Sequence, residues 1–265
     1  MNIIRQIADR IYADYLMPSR LGEYQKLLEA SLQAGYEHLT VHQYYTRIKA
    51  NTLSQHKVFI HRHDIDTDPG TARMMFAIEK KLGIHSTYYF RLSTLDIPLM
   101  KEIHDFGSEA SYHFEEIASF CKEKRLKTRK DVIQHLPSIR EQFIQNFQKI
   151  EKLSGIKLHT VASHGDFVNR KLGLTNQLII EGEAQRTTLG IDCETYDDLL
   201  MKNLDLYVSD RPYPTYCSHR NILDAIGTYN TICMLTHPRH WRTNWYINTK
   251  DNLIRFYEGL KYSLA

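Results

Sequence analysis

The sequence predicts an α/β fold on a parallel sheet, and its length suits a closed βα barrel. Short apolar strand candidates alternate with amphipathic helical segments, and several of those strands run into a cluster of polar, chemistry-bearing residues. With 265 residues, 42% hydrophobic and 25% charged, the chain can bury one large core, so a single domain is expected. No repeat, low-complexity tract or linker divides it.

Taken in order, MNIIRQIADRIYADYLMPSR has arginine and aspartate breaking each apolar run and no small-residue cleavage site, so it reads as an amphipathic helix and not a signal peptide. LGEYQKLLEASLQAGYEHLT places Leu21, Tyr24, Leu27, Leu28 and Leu32 on one helical face and stops at Gly35. Residues 1–55 are thus expected to form a helical extension packed on a barrel of residues 56–265. KVFIHRHD is the first strand. TARMMFAIEKKLG is a helix ending near Gly83, followed by a strand from Thr87 to Phe90. A further helix, Gly107 and a short strand lead to His113. The longest amphipathic segment runs from Asp131 to Leu153, and Pro137 either begins its helix or kinks it. Later strands fall in IKLHTVASHGD, LDLYVSD and YNTICMLTHP.

Composition excludes several classes. A net charge of +3 is too small and dispersed for a nucleic-acid surface, and the basic run CKEKRLKTRK also carries acid. Cys121, Cys193, Cys217 and Cys233 have no paired spacing, so reduced thiols are expected. No apolar stretch approaches a membrane span. A cytoplasmic location follows.

The polar clusters point to function. HRHDID, YHFEE, SHGD, VSD and LTHP each end an apolar strand candidate, and in a parallel barrel those ends converge on the face where active sites are built. One histidine after a strand is ordinarily a hydrogen-bonded loop residue, and Asp68-Pro69 reads as turn chemistry and a helix start. Five such coincidences on one face read as a site.

The ordered segments HDID, GSEASYH, ASHGD, YVSD and LTHP, spread over Val58 to Trp241, resemble the motifs of polysaccharide deacetylases, the NodB-homology or carbohydrate esterase family 4 group, in a divergent His-Asp-x-Asp branch. The resemblance implies a distorted, TIM-like seven-stranded βα barrel and metal-dependent hydrolysis of an N-acetyl or O-acetyl group on a sugar. It implies that Asp64 is the catalytic base, Asp66 and His113 metal ligands, and His237 the acid that protonates the leaving group. The family's second metal histidine lies four residues after the first, where this chain has Ile117. The third ligand then falls to Glu116, nearer the same helical face, to Glu115, or to His164 from a neighbouring strand. ASHGDF replaces the family's arginine-proline-x-x-glycine segment.

The residue types suit that chemistry. Amide hydrolysis near neutral pH needs an activated water and an acid for the leaving amine. One divalent metal is implied, zinc first by ligand type, with iron, cobalt, nickel and manganese also accepted by oxygen and nitrogen donors. Asp64, two residues from Asp66, is expected to point away from the metal and so to be free to take the water's proton. As a purely structural group, Asp64 would instead pair with Arg62 or Arg91. Arg91, Asp166, Asp210 and Trp241 are the candidate substrate contacts. Tyr88, Tyr89, Tyr112, Phe167 and Tyr213 serve either as sugar-stacking rings or as core. The expected substrate is an acetylated sugar, in the cytoplasm a nucleotide- or lipid-linked saccharide of surface-polysaccharide synthesis. The alternatives are another amide or formamide hydrolase on the same barrel, and a degenerate barrel that only binds carbohydrate.

Overall fold

A computed structural model describes residues 3–53, 57–218 and 221–264, so the boundary expected at residues 55 and 56 lies outside the described residues. Helix α1 (Ile3–Ile11) runs on through a π-helical turn, Tyr12–Leu16, and is followed by α2 (Leu21–Gln33), β1 (Glu37–Leu39) and α3 (Val41–Lys49). Strand and helix then alternate through β2 (Val58–Ile65), α4 (Pro69–Leu82), β3 (Thr87–Phe90), α5 (Ile97–Asp105) and β4 (Glu109–Phe114). Helices α6 (Glu116–Lys124), α7 (Arg129–Gln134) and α8 (Leu136–Ser154) lead to β5 (Thr160–Ser163). The last part is more broken: α9 (Phe167–Leu172), α10 (Glu183–Leu189), β6 (Cys193–Glu194), α11 (Asp198–Met201), β7 (Leu206–Ser209), α12 (Ile222–Ala225), β8 (Thr231–Thr236) and α13 (Trp245–Leu264).

All the strands are parallel, in the order β6-β5-β4-β3-β2-β8-β7, with β1 beside the first half of β2. The chain is therefore the single α/β domain expected, its sheet curled into a distorted barrel. The ring is open, because β6 and β7 stand at the two ends of that order. Residues 1–55 are not wholly helical: Glu37 to Leu39 pair with Val58 to Ile60 and extend the sheet. Local signals marked many boundaries. Asp68 caps α4 with its carboxylate on the Thr71 N–H at 3.1 Å, and Gly83 ends that helix at φ 70°. The long segment from Asp131 divides at His135, and Pro137 sits in the first turn of α8, where its missing N–H costs nothing. Leu32 is exposed, and Ser31 takes its place inside α2, bonded to His38 at 2.9 Å.

Strand β2 is buried along its whole length. Successive side chains alternate between faces. Val58 and Ile60 join Tyr89, Ala162, Cys193 and Cys233 from four other strands inside the barrel, while Phe59 packs outward on Tyr24, Leu27 and Met75. His61 and His63 follow the outward parity. There the fully buried Glu79 of α4 faces His63 at 2.7 Å and accepts hydrogen bonds from Tyr88 and Ser86 at 2.6 Å each, and from Tyr24. One carboxylate thus ties α2, α4, β2 and β3 together. Glu79→Ala is expected to cost about 3–5 kcal/mol in urea unfolding, since it strands several buried donors. Glu102→Ala, at a surface ion pair, should change stability by less than about 1 kcal/mol.

Candidate metal centre and active site

The polar residues at the end of β2 separate into different environments. Asp68 is spent on the helix cap, taking the Thr71 hydroxyl at 2.6 Å as well as its N–H. Asp64 is gripped by Arg62, with Nε to Oδ1 at 2.8 Å and an Nη to Oδ2 at 2.7 Å. Residues two apart on a strand share a face, which sets up this pair. Burial opposes ionisation of Asp64, but Arg62 and then His113 outweigh it and lower its pKa.

The expectation that Asp64 and Asp66 point apart is corrected by the same rule. Asp64 Oδ2 and Asp66 Oδ1 both lie 3.3 Å from Nε2 of His113. His113 stands on β4, and its Nδ1 is 2.9 Å from the carbonyl of Ala162 on β5. That carbonyl can only accept, so Nδ1 carries a hydrogen and Nε2 is the nitrogen turned toward the two carboxylates. Such an arrangement calls for a positive charge between them.

His164, just past β5, completes the group, its Nε2 3.4 Å from Asp66 Oδ1. Asp66 Oδ1 is buried, has no hydrogen-bond partner and faces both imidazoles. An orphaned carboxylate oxygen between two ring nitrogens is the donor set a divalent cation takes, and Asp66, His113 and His164 lie within reach of one ion. Behind His164 stands Glu115, 3.1 Å from its Nδ1, itself held by Arg91 through contacts of 2.7 to 3.0 Å. Burial would lower the pKa of His164, yet Asp66 and Glu115 raise it to about 9. Glu115 is brought down to about 2 against its burial by His164 and Arg91.

Of the three candidates for the third position, the structure brings His164 to Asp66 and His113, sets Glu115 behind it, and turns Glu116 away. Glu116 opens α6 and points into the helix layer, where Tyr112 and Asn146 bond it. Burial raises its pKa, which disfavours the anion a ligand needs. Asp166 caps α9 through Val168 at 2.9 Å and pairs with Lys122 at 3.1 Å. Arg91 is occupied by Glu115 and the Asp66 carbonyl, the latter at 3.1 Å. None of these reads as a free substrate contact.

Strand β8, the neighbour of β2, is followed directly by His237, whose Nδ1 is 2.7 Å from Oδ1 of Asp210. Asp210 also accepts the His237 backbone N–H at 2.8 Å and the Trp241 indole N–H at 3.0 Å, and faces His240 Nδ1 at 3.0 Å. Burial opposes the proton on His237, but Asp210, with help from Asp66 and Asp64, lifts its pKa to about 9. Trp241 is 4% exposed, and Tyr88, Tyr89 and Tyr112 are fully buried, so these rings belong to the core and do not offer stacking surfaces. Sequence reasoning missed two positioning residues. Asn176 donates to the His164 carbonyl at 2.6 Å and accepts from the Ile117 N–H at 3.0 Å. The Tyr196 ring lies 4.6 Å from the Arg62 guanidinium. Neither sits in a motif, so no local signal marks them. A cavity of about 600 Å³ opens beside the centre, lined by Ser163, His164, Gly165, Leu174, Gln177 and Tyr196 among others.

No protein-family model matches the chain, and no curated protein matches it. Among solved structures it is similar to a Streptococcus pyogenes deacetylase, PplD, in complex with acetate, at 12% identity over 79% of each chain with a TM-score of 0.43. A likeness of that degree leaves the chemistry to this chain's own residues. No described helix is long and apolar enough to cross a membrane.

Calorimetric titration with zinc or cobalt should give one bound ion per chain. Replacing Asp66, His113 or His164 with Ala should abolish it, Glu115→Gln should weaken it by roughly 10–100-fold through loss of the group behind His164, and Glu116→Gln should leave it unchanged.

Proposed function

We propose that this chain is a metal-dependent hydrolase that removes an acetyl group, first of all an N-acetyl group, from a sugar. The observation that carries the reading is the Asp66–His113–His164 group with an Arg62-bound carboxylate beside it, together with an Asp210-bound imidazole just past β8, the strand next to β2. Two imidazoles and a carboxylate suit zinc, and iron, cobalt, nickel or manganese fit the same donors. A cation held there lowers the pKa of water toward about 7 and polarises a carbonyl.

The side chains supply the rest. Asp64, ionised and locked in orientation by Arg62, takes the proton of the attacking water. Asp210 holds the His237 ring through Nδ1, so that Nε2 is the atom from which a proton passes to the leaving amine. Trp241 and the His237 backbone steady Asp210 in turn. The cavity beside His164 is where the sugar is accommodated. In the cytoplasm, where the sequence leads one to expect the chain, that sugar is a nucleotide- or lipid-linked precursor of surface polysaccharide.

A panel of acetylated sugars set against simple amides and formamides tests the substrate class, and turnover of the simple amides alone would overturn the sugar reading. Asp64→Asn should keep the metal and lose about two to four orders of magnitude in turnover, whereas Asp66→Ala should lose both. Equal metal loss in the two variants would make the aspartates a joint ligand set.

The acid carries its own signature. His237 acts when protonated, so the rate falls as pH rises through its pKa. Asp210→Asn removes the charge that keeps the proton on, so the alkaline limb of kcat/KM against pH should move to lower pH. An unmoved limb would remove His237 from this role.

A further inference from the structure

Helix α13 is amphipathic the wrong way round for a helix lying on a monomer. The side it turns to the protein is polar apart from the buried Tyr262: Asn248 donates to the Asp14 carbonyl at 2.8 Å, Asp251 pairs with Arg239 at 2.6 Å, and Glu258 pairs with Lys122 at 2.8 Å. Its outer side is apolar, with Tyr246, Leu253, Phe256, Tyr257 and Leu264 all more than 60% exposed and Leu260 at 46%. Helix α1 buries none of its residues, and Arg10 holds it to α13 through Asn252 at 3.1 Å. Fourteen of the twenty-one large apolar side chains exposed among the described residues lie on α13, α1 and the turn that follows α1.

We propose that this face is the interface of a homodimer, α13 packing on α13 of a second copy with α1 alongside. Area is the first argument. Trp245, Tyr246, Phe256 and Tyr257 alone expose roughly 500 Å², taking about 200 Å² for an aromatic side chain. The aliphatic residues of the two helices bring the total toward the roughly 800 Å² per partner of a stable interface, beyond the largest patch of an ordinary monomer. Spacing is the second. Positions 246, 253, 257, 260 and 264 follow steps of seven, four, three and four, a seam of the kind one helix offers another, with Trp245, Ile254 and Phe256 widening the apolar face to either side.

The interface reaches the site through one residue. Arg239, two positions after His237, bonds Asp14 at 2.8 Å and Asp251 at 2.6 Å, and so ties both terminal helices to the loop that carries the proposed acid.

Sedimentation of the full chain over a range of concentrations tests the proposal. The wild type should run with the mass of two chains, and the double variant Leu253→Glu, Leu260→Glu should halve that mass while keeping the far-ultraviolet circular dichroism and metal binding of the wild type. Leu153→Glu, at an exposed position of α8, should stay dimeric and serves as the control for added charge. A wild type that is monomeric at its highest soluble concentration overturns the proposal, as does a double variant that is folded and still dimeric. Flotation with anionic phospholipid vesicles separates the other occupant: a monomeric wild type that floats, and loses flotation in the double variant, would make the face a membrane surface.

Discussion

Strand β2 carries charge where no water reaches, and the neutralisation of that charge organises much of the molecule. Arg62 is 1% exposed and cannot shed its proton, so it must be paired inside the barrel. Asp64, on the same face two residues on, meets it with both oxygens. On the other face, Glu79 answers His63 while two tyrosines and a serine saturate its remaining lone pairs. The pleat alone decides which partner each residue meets. An extended strand with charges on both sides is tolerable here because each charge has a partner with bonding geometry.

The same strand then delivers Asp66 to the rim, where neutralisation is left incomplete. Glu115 is taken by Arg91 and His164, and Asp210 by His237 and Trp241. Asp66 Oδ1 alone among these oxygens faces two imidazole nitrogens and forms no hydrogen bond. The contrast with the histidine and glutamate group behind β2 is instructive. His61, His63 and Glu79 also lie within reach of one ion, but there the carboxylate is fully bonded. His42, His159 and Asp192 form a third such group at the opposite ends of the strands, with stacked imidazoles sharing one carboxylate oxygen. An unbonded carboxylate oxygen, and not the presence of ligand-type residues, distinguishes the candidate centre among these groups.

Much of this was legible in the amino-acid order. Apolar runs located β2, β3 and β8, a short strand after Gly107 located β4, glycine punctuation located helix ends such as Gly83, and parallel topology followed from alternation. It followed as well that polar residues ending several strands would share one face. Strands β1 and β6, of three and two residues, were beyond reach because so short a run has no period to read.

What the tertiary structure alone decided is which of those rim residues meet. The third member of the group could be Glu115, Glu116 or His164 on spacing, and the choice depends on β4 and β5 pairing with His113 opposite Ala162, which sets His164 just beyond the strand and within reach of Asp66. Register between strands separated by three helices is set by packing of the whole sheet, and no local pattern encodes it. Glu116 illustrates the converse: its sequence position suggested a ligand, and Tyr112 with Asn146 drew it into the helix layer. Local order determined what each strand end carries, and the packed sheet determined which ends come together.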